Sequence, residues 1–193
     1  MGLLSLDLLM LICNLLLILV YLALYESLKG INKSVMIISV IFGIIGIVLL
    51  LVSREATFSM LTLSNQYSLV TTENEKQMLI SIGQTMLTIY NGGVFNISYV
   101  MGAIPLLLIP FVMVKSNIFK RSTAIIMGIS GLLMTIPPTV GMIGLLFSLI
   151  SLIPTIIWLV IVALKLFQLG KISNEKKFYY KTSVATENDD IKK

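Results

Sequence analysis

The chain has 193 residues, of which 57% are hydrophobic and 12% charged, with fourteen basic side chains against nine acidic ones. Mean hydropathy is +1.00. So few charges, clustered as they are, cannot cover a water-soluble surface, which excludes a soluble globular protein, a disordered chain and a nucleic-acid binder. Lipid admits helices or closed barrels, and apolar runs of spanning length point to an all-α polytopic transmembrane helical bundle.

The expected membrane domain is residues 1–170, with spans over about 3–28, 35–53, 80–114, 122–136 and 142–167. The first run, Leu3 to Leu28, carries Asp7 early, lacks a basic leader and is too long for a signal-peptide core, so it is expected to stay in the mature protein. It ends at Lys29-Gly30-Ile31-Asn32-Lys33-Ser34. There Gly30 suits a helix C-cap, and Asn32 or Ser34 an N-cap for the next helix.

The second run closes at Arg54-Glu55, and Ala56 to Leu69 either continues the helix beyond the membrane or lies at its surface. Thr72 with Glu75 three residues on has the spacing of a capping box. The third run is long, polar in its first half, and carries Pro105 and Pro110, which are expected to kink it. The fourth run is short and leads into Pro137-Pro138-Thr139-Val140-Gly141, a tight turn. About five spanning helices result, with this Pro-Pro hairpin between the last two. Residues 171–193 form a polar tail, expected to be cytoplasmic, with Ala185 to Lys193 disordered.

Twelve of the fourteen basic residues fall on one side of this arrangement, and only Arg54 and Lys76 on the other. Cytoplasmic loops collect Lys and Arg, so the N-terminus is expected outside and the C-terminus in the cytoplasm.

The chemistry-bearing residues are sparse. At 100° per residue, Gln84, Thr88, Asn91, Asn96 and Tyr99 share one arc of the third run with small residues and Phe95. A polar stripe on a spanning helix faces other helices or water, so it reads either as interhelical contact or as the wall of a polar cavity. The charges within the runs lie near helix ends. Asp7 is about one turn from the outer end, and Glu26 is spaced to pair with Lys29 at the cytoplasmic boundary. Glu26 would join a site only by facing the stripe. No charge sits at mid-bilayer, which weakens an ion-coupled carrier or a voltage sensor.

Ser39 with Gly43, Gly128 with Gly131, and Gly144 with Ser148 suit close helix packing. The single cysteine, Cys13, lies among leucines and is expected to be packed. There is no histidine, which removes the commonest metal ligand and the usual neutral-pH base. There is also no phosphate loop, nucleotide fingerprint or nucleophile elbow. No catalytic residue, metal site or cofactor is expected.

The block from Thr88-Ile89-Tyr90-Asn91 to Lys115-Ser116-Asn117-Ile118-Phe119-Lys120-Arg121 is followed by a glycine-rich short helix and by Trp158 with Leu164-Lys165-Leu166-Phe167-Gln168-Leu169-Gly170. Together with Tyr21-Leu22-Ala23-Leu24-Tyr25-Glu26-Ser27-Leu28-Lys29, these segments resemble a prokaryotic membrane family, domain of unknown function 4386, over about residues 1–170. The resemblance implies a prokaryotic cell membrane and typically six helices, of which this sequence is expected to lack the first. It implies no activity and no catalytic residues.

The expected role is a non-enzymatic structural or interaction component of the membrane. The alternative is a small-solute transporter or channel subunit using the polar face of the third helix. The expected partners are the lipid bilayer and a second copy or another membrane protein, with no nucleic acid.

Overall fold

A computed structural model describes the backbone of residues 2–190 and the side chains of residues 4–172. The described residues form five helices and no strand: α1 (Gly2–Leu69), α2 (Glu73–Tyr90), α3 (Gly93–Val114), α4 (Arg121–Leu133) and α5 (Gly141–Asp190). The protein is an all-α helical bundle.

α1 doubles back at Asn32, whose φ of −151° and ψ of 92° leave the helical region. The Asn32 Oδ1 accepts the Val35 N–H at 3.1 Å. Asn32 therefore ends one arm (2–31) and caps the next (33–69). Gly30 stays helical, so the break is a single residue rather than a loop with a glycine cap.

The two arms pack through matching seams. Positions 7, 10, 14, 17, 21, 24 and 28 of the first arm are buried or half-buried, as are 36, 40, 43, 47, 50, 54 and 57 of the second. Steps of three and four residues keep such positions on one helix face. The two sets mirror each other about residue 32. Thr57 thus meets Asp7, and a Cβ on Gly43 would fall 2.7 Å from the Tyr21 ring.

The second arm is about 55 Å long at 1.5 Å per residue, well beyond a hydrocarbon core of about 30 Å. It runs through Arg54-Glu55 without interruption and continues beyond the bundle, the first of the two courses open to Ala56–Leu69. α2 packs back along this extension and buries none of its own residues. At its start Thr72 makes no side-chain bond to the helix backbone; its hydroxyl donates instead to the Glu75 carboxylate. The capping box is therefore not formed.

The expected span over 80–114 is corrected. Asn91 and Gly92 break it, with Gly92 extended at φ −79° and ψ −165°. A Cβ on Gly92 would lie 3.0 Å from the Ile89 carbonyl oxygen, too tight for most side chains. Only α3 crosses the bundle, and it continues as helix through Pro105 and Pro110. α3 is the central element. It packs on α1 and on α4, while α1 and α5 barely touch.

The count of five spanning helices is also corrected, to about four. Leu4–Leu69, Glu73–Val114 and Gly141–Ile172 are long and apolar enough to cross, and the fold at Asn32 makes two passes of the first. α4 has 13 residues, about 20 Å of helix and too short to span by itself, so the non-helical residues 134–140 complete a fifth pass of the chain back to the Asp7 end.

Beyond α4 the chain turns as expected. Val140 N–H donates to the Pro137 carbonyl at 3.1 Å, and Gly141 takes a φ of +61° that favours glycine. Gly144 also has no room for a side chain, since a Cβ there would lie 2.2 Å from the Pro137 oxygen. Thr139 bonds Asn96, which places this turn at the Asp7 end of the bundle. α5 then runs back with Gly144, Ser148, Ser151, Thr155, Trp158 and Val162 inward, again in steps of three and four.

The bundle thus has two ends. Asp7, Arg54, Asn91, Asn96 and Thr139 mark one. Asn32 and the α3–α4 connection, with Lys29, Lys33, Lys115, Lys120 and Arg121, mark the other. Leu28, Met36, Met113, Met127 and Val162 are fully buried toward the Asn32 end and form a solid apolar layer. Cys13 is exposed on the outside of the first arm, which corrects its expected packing. The α5 backbone is helical to Asp190, and residues 191–193, the end of the expected disordered stretch, lie outside the described residues.

Candidate functional site

Two cavities open between the arms of α1, α3 and α5, and both are walled by Met10, Phe95 and Pro138. The outer one, at the Asp7 end, has a volume of about 620 Å³ and is lined among others by Asp7, Arg54, Tyr90, Asn91 and Thr139. The inner one, of about 390 Å³, reaches down to Tyr21, Gly43 and Trp158.

A charge cluster forms the inner wall of the outer cavity. Asp7 and Arg54 occupy seam positions of the two arms, so the helical period that buries leucines elsewhere buries them here. Each is about 95% or more removed from solvent, with Asp7 at 5% exposure and Arg54 at 3%. Asp7 Oδ2 accepts the Thr57 hydroxyl at 2.5 Å, and Oδ1 accepts the Tyr90 hydroxyl at 3.1 Å. The nearest guanidinium nitrogen, Arg54 Nη1, stands 3.9 Å from Oδ1. That distance neutralises charge but is too long for a hydrogen bond.

The Arg54 guanidinium is held over two rings, 4.0 Å from the centre of Tyr90 and 4.6 Å from that of Phe95. Cation–π attraction of this kind strengthens as water is excluded. Its Nε is buried without any hydrogen-bond partner. The neighbouring N-terminus of α3 has no side-chain cap, so its first N–H groups stay open and carry the positive end of the helix dipole.

The inner cavity is apolar despite its hydroxyls, because these are turned into the protein. Ser98 Oγ donates to the Phe95 carbonyl and Ser151 Oγ to the Ser148 carbonyl, each at 2.7 Å. Tyr99 donates to Ser148 Oγ at 2.8 Å, and Thr155 pairs with Ser130. The Trp158 indole N–H is buried there without a partner. Gly46 brings the second arm against α3, where its Cβ would fall 2.8 Å from the Gly102 nitrogen. Gly102 itself has open space where a side chain would go.

The residues of the expected stripe do not act together. The break at Asn91–Gly92 resets the helical phase, so Gln84 and Thr88 lie exposed on α2, outside the bundle. Asn91 lines the outer cavity, Tyr99 lines the inner one, and Asn96 holds Thr139 beside them. Glu26 is exposed near the opposite end, paired with Lys29 at 2.5 Å, and does not face the others. Arg54, Thr57 and Tyr90 were not anticipated as site residues, and Asp7 only as a charge near a helix end. The mirrored seam spacing was the signal that places Asp7 and Arg54 inside.

These features define a polytopic helical membrane protein with an apolar cavity inside its bundle and a buried charge cluster lining a second cavity beside it. The family described as Domain of unknown function (DUF4386) matches residues 3–170, and the chain belongs to it. No curated protein and no solved structure matches the chain.

Proposed function

We propose that the protein is a non-enzymatic membrane component that holds a small hydrophobic guest within its bundle. The observation that carries this reading is the apolar inner cavity, which shares Met10, Phe95 and Pro138 with the outer cavity that Asp7 and Arg54 line. The fully buried layer toward the Asn32 end gives the cavity a floor, which favours holding a guest over passing it through. The Asp7 carboxylate has both oxygens engaged by hydroxyls and an arginine beside it, a poor arrangement for a general base.

The charge distribution supports the Asp7 end facing outside a prokaryotic cell membrane, with the N-terminus outside and the C-terminus cytoplasmic. Lys29, Lys33, Lys115, Lys120 and Arg121 crowd the Asn32 end, against Arg54 and Lys76 beyond the other. α5 turns a broad apolar face outward, including Ile153, Ile156 and Val160. That face suits the lipid bilayer or a second copy of the chain.

Trp158, the sole tryptophan, is 1% exposed and lines the cavity, so its fluorescence reads occupancy. A neutral dibrominated long-chain alcohol added to protein in neutral-lipid vesicles should quench Trp158 with saturation. Gly102→Leu, which fills the cavity from a position with open space, should abolish that quenching. Quenching that is unsaturable and unchanged in the variant would show bilayer collisions and overturn the reading.

A further inference from the structure

Resting on the cavity reading, we infer that the guest is a single-chain amphiphile with an anionic head, a carboxylate or phosphate bound by Arg54 with its chain in the inner cavity. Asp7 offsets the charge of Arg54 at 3.9 Å but gives its two oxygens to Thr57 and Tyr90. The guanidinium has five N–H donors in a planar fork, and at least the buried Nε has no acceptor. An unmet buried donor on a charged group is costly. A planar or tetrahedral oxyanion entering the outer cavity, which Arg54 lines, offers the fork acceptors of the kind guanidinium prefers. Cation–π contact with both the Tyr90 and the Phe95 ring restrains the guanidinium beforehand, which lowers the ordering cost of binding. The uncapped N-terminus of α3 adds a second source of positive potential beside Asn91 and Phe95.

Depth matches the same guest. Arg54 lies 22 residues along the second arm from Asn32, about 33 Å of helix, which puts it at the level of lipid headgroups. Gly43, opposite Tyr21 in the inner cavity, lies about 17 Å further in, close to the hydrocarbon depth of one leaflet. A head at Arg54 therefore places an acyl chain along Met10, Ser98 and Gly102 toward Trp158.

The test compares three probes with the same dibrominated chain: a fatty acid, a phosphate monoester and a neutral alcohol. Each is titrated against Trp158 fluorescence of the full chain in neutral-lipid vesicles. The expected result is that one or both anionic probes bind more tightly than the alcohol, the stronger naming the head group. Arg54→Gln should weaken anion binding about 10- to 100-fold, the scale of a lost charge-assisted contact, and leave the alcohol unchanged. Arg54→Lys, which keeps charge without the fork, should fall between. Should Arg54→Gln not fold, the three-probe comparison in the native protein carries the decision, and Asp7→Asn adds a second reading of it. Removing the competing carboxylate should tighten anion binding, whereas a purely structural ion pair predicts no gain. Equal affinity of acid, phosphate and alcohol in the native protein would overturn the anionic head while leaving the cavity reading intact. No saturable quenching by any probe would overturn both.

Discussion

Asp7 and Thr57 stand fifty residues apart in sequence and 2.5 Å apart in the fold, each at the same distance from the turn at Asn32. The contact closes the far end of a helical hairpin, and it orients a carboxylate that also accepts from Tyr90 on α2. Three elements of the chain's first half are thereby tied at one buried point. Arg54 is added to that point by charge and cation–π contact rather than by hydrogen bonds to Asp7.

Breaking this point from one side should cost more than dismantling it. Asp7→Asn leaves a buried guanidinium without its counter-charge, and Arg54→Gln leaves a buried carboxylate without one. Each should destabilise the bundle by about 3–5 kcal/mol, whereas the double substitution should lose less than the two together. Unfolding in a graded denaturing detergent, measured for all four proteins, supplies the cycle. Strict additivity would mean that the two charges do not interact.

Glycines that look alike in the sequence should differ in substitution. Gly46→Ala drives a methyl group to 2.8 Å from the Gly102 backbone and 3.1 Å from the Ser98 carbonyl, so the second arm must move off α3. A loss of about 1–3 kcal/mol is expected, the usual cost of overpacking. Gly102→Ala meets nothing within 4 Å and gains helix propensity, so it should be neutral or stabilising. The same unfolding assay distinguishes them, and equal losses at both sites would refute the close approach.

Orientation has a direct readout. A reporter fused after Lys181 should report the cytoplasm, and one inserted beside Asn74 the outside. The second position samples the hairpin of α1 and α2 that extends past the bundle. The reverse pattern would place the Asp7 end inward.

Class was legible in the sequence because composition and apolar run length register the solvent directly, and the family because the segments around Tyr21, Tyr90 and Trp158 resemble it. The tight Pro137–Gly141 turn was legible for a similar reason, since proline and glycine act locally. The polar stripe assumed one continuous helix, and the break at Asn91–Gly92 divides it, leaving Gln84 and Thr88 exposed on α2 and Asn91, Asn96 and Tyr99 at or beside the two cavities. Whether Asn91-Gly92 breaks a helix or only bends it depends on what packs around it, and a bilayer-length count cannot tell. Arg54 looked like the end of a span because charges usually are. Its burial follows from a partner 47 positions away on the opposing seam, a relation visible only when the hairpin is folded about Asn32. Cys13 was misplaced because an apolar neighbourhood in lipid does not separate inward from outward faces; only the three–four seam does, and position 13 lies off it.

The mirrored pairing of the two α1 arms also bears on how the chain enters the membrane. Every seam contact between them is available before α3 has been synthesised, since the hairpin is complete by Leu69. In the proposed orientation Arg54 must pass through the hydrocarbon, a step that costs a lone arginine at a helix centre roughly 2.5–3.5 kcal/mol on insertion scales. Entering as a hairpin, it travels beside Asp7 and reaches the far side as half of a neutral pair. The cluster that ends as the lining of a cavity thus begins as the means by which a charged helix end is carried across.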